Sequence, residues 1–240
     1  MLDIIKGRED YSFVKLKDNV SEVLSYFRDK NEKTVLWIDF SLCPEHSILG
    51  LLDNIEVTRI ESLHFVNFSN LVTNFQTLTH WKYLSFGYQN SSFDFVNQIS
   101  LRHVGSVWSK KWSGLSSCIG LESFCVSGYQ GCFSALPNLP NLNRIELIQP
   151  DIINLDGIQT ATKLEILELS YAKKLENISM LSDKNNRLKK LVIDRCKNVK
   201  SYSSLSLLNS LEYLQILGCN PTDAISSIEQ LPNLKFRRIT

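Results

Sequence analysis

The sequence predicts an α/β solenoid of about ten coils, in which short strands stack in parallel into a sheet and return through 3-10, irregular or short helical segments. Three observations carry this expectation. A nine-residue pattern recurs along most of the 240-residue chain. The apolar period changes from two to three inside each unit. The segment 1–33 departs from the pattern altogether.

The pattern is clearest where Leu188-Lys-Lys-Leu-Val-Ile-Asp-Arg-Cys196 is compared with Leu211-Glu-Tyr-Leu-Gln-Ile-Leu-Gly-Cys219, both of the form LxxLxLxxC and 23 residues apart. Leu164 to Ala172 and Leu142 to Pro150 repeat the form. Looser copies run from Leu121 to Tyr129, Leu101 to Ser109, Trp81 to Gln89, Ile60 to Phe68 and Val35 to Cys43, and a half-copy spans Leu234 to Thr240. The fourth positions are Ile38, Leu63, Leu84, Val104, Phe124, Ile145, Leu167, Leu191, Leu214 and Arg237, spaced by 20 to 25 residues.

Each unit has a physical rationale. Alternating apolar residues in LxL share one face of a strand. After the strand the spacing becomes three, as in Cys196, Val199, Tyr202, Leu205, Leu208 and Leu211. A 3-10-like return turns those residues inward between coils. No coil buries its apolar side alone, so the units must stack. Cys43, Cys196 and Cys219 read as small buried residues at the strand-to-return corner. Arg237 is a charge in an anchor position and is expected at an exposed end.

The segment 1–33 reads as a cap over the first coil, with a strand in Tyr11 to Leu16 and an amphipathic helix over Asn19 to Lys30. The repeats then occupy 34–240 as one continuous domain.

Composition narrows the function. Lys+Arg number 26 against Asp+Glu 25, a net charge of +1. A nucleic-acid or membrane-surface protein needs an excess of basic residues. No apolar leader follows Met1, and no stretch reaches the ~18–20 apolar residues of a membrane helix. The six cysteines include no CxxC pair, so a reduced, cytoplasmic protein is expected. Nucleotide, zinc-protease and serine-hydrolase signatures are missing, and no cofactor or metal is expected.

These repeats resemble the leucine-rich-repeat family, whose units run ~20–29 residues. The resemblance implies a curved solenoid with its sheet on the concave face, and family members typically bind proteins there. In this register, positions 3, 5, 7 and 8 face that surface or its rim. The candidate binding residues are Trp37, Asp39, His64, Tyr83, Tyr88, His103, Trp108, Arg144, Glu146, Glu168, Tyr171, Asp194, Arg195 and Tyr213. Aromatic residues and Arg are the types enriched at interface hot spots.

Glu146 and Glu168 fall side by side at position 5. They either stand as two solvated carboxylates or draw a cation between them, from Arg144 or from a partner's basic patch.

The expected function is a non-enzymatic protein-binding module, in its most specific form an immunity or inhibitor protein that neutralises a toxin or enzyme. The alternatives are the recognition domain of a larger receptor or ubiquitin-ligase adaptor, or a Cys/His enzyme at Cys125 and His103. The last lacks an orienting group and an oxyanion hole.

Overall fold

Apolar alternation becomes short strands, and the three-residue spacing becomes the returns between them. The computed structural model describes residues 2–6, 12–28, 34–54, 57–58, 60–67, 78–87, 92–221, 223–229 and 231–240. They divide into two units, Met1–Gly120 and Leu121–Thr240.

In the first unit, β1 (Asp3–Lys6) pairs antiparallel with β2 (Ser12–Lys15). α1 (Val20–Arg28) follows and buries Val23, Leu24 and Phe27, the face its apolar spacing dictates. β2 then begins a parallel series with β3 (Thr34–Asp39), β4 (Ser62–Val66), β5 (Tyr83–Phe86) and β7 (His103–Val107). The return after β3 contains α2 (Glu45–Leu52), which buries Ile48 and Leu51. Between β5 and β7 lies β6 (Phe93–Asp94), which pairs in parallel with β8 (Trp112–Ser113). Gly105 and Ser106 do not interrupt β7, because backbone pairing to Ser85 and Phe86 needs no side chain there.

The register corrects one expectation. Leu36, not Ile38, lies opposite Leu63. Leu36 and Ile38 are both wholly buried, so either fits the pattern, and a two-residue slip leaves every side chain on the same face. Trp37 therefore stays on the half-exposed side, opposite His64 rather than two residues below it.

The second unit stacks β9 (Ser123–Ser127), β10 (Arg144–Ile148), β11 (Ile166–Ser170), β12 (Lys190–Asp194) and β13 (Tyr213–Leu217) in parallel. After α3 (Ala224–Ile228), β14 (Phe236–Ile239) continues the pairing. Phe124, Ile145, Leu167, Leu191 and Leu214 stand opposite one another in turn, as the repeat spacing predicts. Arg237 takes the same row in β14 and is exposed.

Both ends of β10 to β13 are pinned by backbone bonds. At the start, paired N–H groups such as those of Lys189 and Lys190 donate to one carbonyl of the preceding coil, that of Glu165, at 2.9 and 3.0 Å. At the end, position 8 adopts left-handed backbone: φ is 71° at Gly128, 51° at Gln149, 57° at Tyr171, 52° at Arg195 and 57° at Gly218. That turn aims its N–H at the next coil, as in Arg195 to the Leu217 carbonyl at 2.7 Å. A non-glycine residue in this conformation costs roughly 1–2 kcal/mol.

The returns bury what the spacing predicts. Cys196, Tyr202, Leu205 and Leu211 are fully covered, and Val199 is 4% exposed. Buried polar groups brace successive coils. Asn185 Nδ2 donates to the Ile158 carbonyl at 2.9 Å, and Ser204 Oγ to the Ile178 carbonyl at 3.2 Å. Position 2 alternates in charge between neighbours: Glu61–Lys82, Glu165–Lys189 and Glu212–Lys235 approach to 2.8, 3.0 and 2.7 Å. These exposed pairs each contribute only ~0.2–1 kcal/mol, so they tune the stacking rather than hold it.

Two substitutions test this packing by urea denaturation. Leu191→Ala empties a wholly buried anchor and is expected to cost about 3 kcal/mol. Gly157 has φ 98°, and a Cβ there would sit 2.6 Å from the Ser134 backbone nitrogen. Gly157→Ala is expected to cost at least ~2 kcal/mol. Unchanged midpoints would contradict the stacking described.

Candidate functional site

Strand alternation leaves one side of the sheet in each unit half-exposed, and this open face carries most of the candidate residues. In the first unit, register places Trp37 beside His64, with rings edge to face at 5.0 Å. Phe13 from β2 closes the group, 6.0 Å from each ring. Lys15 Nζ lies 4.9 Å above the Trp37 ring, a cation–π contact. Phe13 and Lys15 were not among the candidates, although the alternation in Ser12-Phe-Val-Lys15 puts both on that face. Tyr83 and His103 lie farther along, with ring centres 6.3 Å apart. Tyr88 lies outside the described residues.

Two candidates on this unit are engaged by neighbouring side chains. Trp108 packs edge to face on Trp112 at 5.4 Å, and Trp112 touches Phe86 and Phe95 in the interior. Asp39 accepts hydrogen bonds from Asn67 Nδ2 at 2.9 Å and Ser41 Oγ at 2.7 Å. Burial pushes its carboxyl up, but these bonds outweigh that and hold it below the usual range.

The second unit joins its candidates into a chain of contacts. Arg144 sits 3.0 Å from Glu146 and 3.6 Å from Glu168. Lys190 reaches Glu168 at 3.0 Å, and its ammonium lies 5.4 Å from the Tyr213 ring. Tyr213 stacks on Phe236 at 4.5 Å with 11° between planes, and its hydroxyl donates to Gln215 Oε1 at 2.6 Å. The adjacent carboxylates Glu146 and Glu168 thus receive their cations from the chain itself. At 27% and 18% side-chain exposure they are not free acids awaiting a basic partner. Burial alone would lower the Arg144 guanidinium, yet the Glu146 bond and neighbouring negative charges hold it above its ordinary value.

Lys190 is a contact the sequence reading missed. It occupies position 3, as Arg144 and Tyr213 do, so the repeat register already points to it. Beside this chain, Tyr171 and Arg195 form a separate pair, with the guanidinium carbon 4.9 Å from the ring centre. Asp194 is half-buried at the end of β12. Cys125 faces Glu146 across the strands, and burial, then the Glu146 charge, pushes its thiol up. That environment disfavours the thiolate a nucleophile needs. Among the described residues, no three His, Cys, Asp or Glu side chains converge to hold a metal ion. No helix among them is long and apolar enough to cross a membrane.

His64 gives this face a pH signature. Its Nδ1 lies 2.6 Å from Ser85 Oγ, and burial pushes its pKa down to about 4 from an ordinary 6.5. The unfolded chain therefore takes up the proton first. The stability contributed by neutral His64 is full above pH 6.5 and is lost as pH falls toward 4. Between pH 7 and 4, the protein is expected to lose up to ~3 kcal/mol more than a His64→Gln variant. Superimposable stability profiles would contradict this.

No protein-family model matches the sequence, and no curated protein matches it. Among solved structures, an internalin from Listeria monocytogenes superposes with a TM-score of 0.61 at 15% identity, covering 85% of this chain and 67% of that one. A TDR receptor aligns at 17% identity over 84% of this chain and 44% of that one, but its TM-score of 0.36 carries no argument. Identity at this level speaks to fold alone. With its parallel short strands, repeated anchors and 3-10 returns, the chain has the leucine-rich-repeat fold.

Proposed function

We propose that this chain is a non-enzymatic protein-binding module that uses the open face of its sheet. The observation that carries the reading is the connected set Arg144, Glu146, Glu168, Lys190, Tyr213 and Phe236. Side chains already held by one another lose little freedom when a partner arrives, which removes a principal cost of association. Aromatic anchors flanked by satisfied charges are the composition from which binding hot spots are built. The fold likeness to an internalin supports the same class.

Within that class, the inhibitor or immunity role is the specific form we favour, in which the module sequesters a toxin or enzyme. The carboxylates Glu146 and Glu168 are not offered as its anchor for a basic toxin patch, because Arg144 and Lys190 occupy them. A non-catalytic role agrees with the raised Cys125 thiol and with a face whose charges pair among themselves.

Co-purification from the native host, with identification of retained proteins, tests the reading when run beside face variants. One stoichiometric partner is expected. Trp37→Ala and Tyr213→Ala are each expected to weaken it about 30-fold, as hot-spot truncations of ~2 kcal/mol do. Leu207→Ser, on an exposed return, is expected to leave it unchanged. Retention that ignores the face variants would overturn the proposal.

A further inference from the structure

In the second unit, β9 to β13 each end in a left-handed residue at position 8, whose N–H donates to the next coil. Glycine meets this need without strain, and Gly128 and Gly218 are placed so. Tyr171 and Arg195, like Gln149, are not glycine, although they hold the same backbone conformation at φ 57° and 52°. Something other than the turn explains their side chains.

Their packing indicates what. Arg195 is exposed, and its guanidinium carbon lies 4.9 Å from the Tyr171 ring centre. On its other side is Gly218, where a Cβ would approach Arg195 Cγ to 3.1 Å. The missing side chain at Gly218 thus leaves room for the arginine stem. The ring covers a face of the guanidinium, while the N–H edges have no acidic partner among the described residues. Elsewhere on this open face, Arg144 and Lys190 are engaged by Glu146 and Glu168. The titratable neighbour on the same strand end is Asp194, one residue before and half-buried.

We propose that Tyr171 and Arg195 form a docking point for a carboxylate side chain of a protein partner. Tyr171 holds the guanidinium in place, and the free N–H edges donate to an Asp or Glu carboxylate in the two-pronged geometry suited to arginine. The module's docking charge is therefore positive and lies beside the acid pair, rather than being the acid pair itself. This inference rests on the protein-binding reading.

The test uses the full chain labelled for NMR and a blocked peptide of alternating Glu and Leu. A peptide with Gln in place of Glu and a short oligothymidylate serve as comparisons. The Glu peptide is expected to shift the Arg195 side-chain N–H and Tyr171 ring signals saturably, and the Gln peptide is not. Arg195→Lys keeps the charge but loses the planar fork, and is expected to weaken binding about tenfold; Asp194→Asn is expected to strengthen it. Arg195→Gly is expected to abolish the shift while raising the thermal midpoint by ~2–4 °C, since it relieves the left-handed strain.

No saturable shift at Arg195, equal binding by Arg195→Lys, tighter binding of the oligothymidylate, or a lowered midpoint in Arg195→Gly would overturn the proposal. Those outcomes leave the protein-binding reading standing if co-purification still depends on Trp37 and Tyr213. Loss of that dependence sinks the broader reading whether or not the peptide binds.

Discussion

Everything in this molecule follows from the inability of one coil to bury its own apolar side. A strand of five residues with alternate leucines exposes a hydrophobic edge until a second coil lies against it. Stacking then requires that backbone donors and acceptors meet at both ends of every strand. From β10 to β13, the shared carbonyl at the strand start and the left-handed turn at position 8 answer that requirement. Once both ends are fixed, register is fixed, and register decides which side chains stand next to each other on the open face.

The face is therefore a consequence of the core. Glu146 lies beside Glu168 because Ile145 lies beside Leu167. Arg144, two residues before Glu146, is close enough to pair with both carboxylates. Lys190 reaches Glu168 from the next strand and Tyr213 lies within its range, so electrostatics and aromatic contact propagate along the rows that packing sets out. The weak ion pairs at position 2 follow the same rows on the outside of the strands. Being exposed, they add little stability.

Much of this was legible in the residues, for a physical reason. A repeat multiplies one local rule, so the anchor row from Leu63 onward could be read without coordinates. The first anchor could not, because Val35, Leu36 and Ile38 are all apolar and all buried. Only backbone pairing distinguishes among them. The open face was legible as a set of positions, which is why His64, Arg144, Glu168 and Tyr213 fall where expected. Its contacts were not legible. That Arg144 and Lys190 both turn to the acid pair, or that Trp108 packs on Trp112, depends on rotamers and on segments distant in sequence. The left-handed conformation of Tyr171 and Arg195 was equally hidden, since their residue types argue against it.

The central claim is that the open face is ordered before any partner arrives. Side-chain NMR relaxation on the free protein measures this directly at Arg144 Nε and the Lys190 ammonium. A pre-organised face requires order parameters near the ~0.85 of rigid backbone for Arg144 and clearly restricted motion for Lys190. Values below ~0.6 at both, in the flexible range, would mean that the contacts are not held in solution, and the pre-organised face would have to be abandoned.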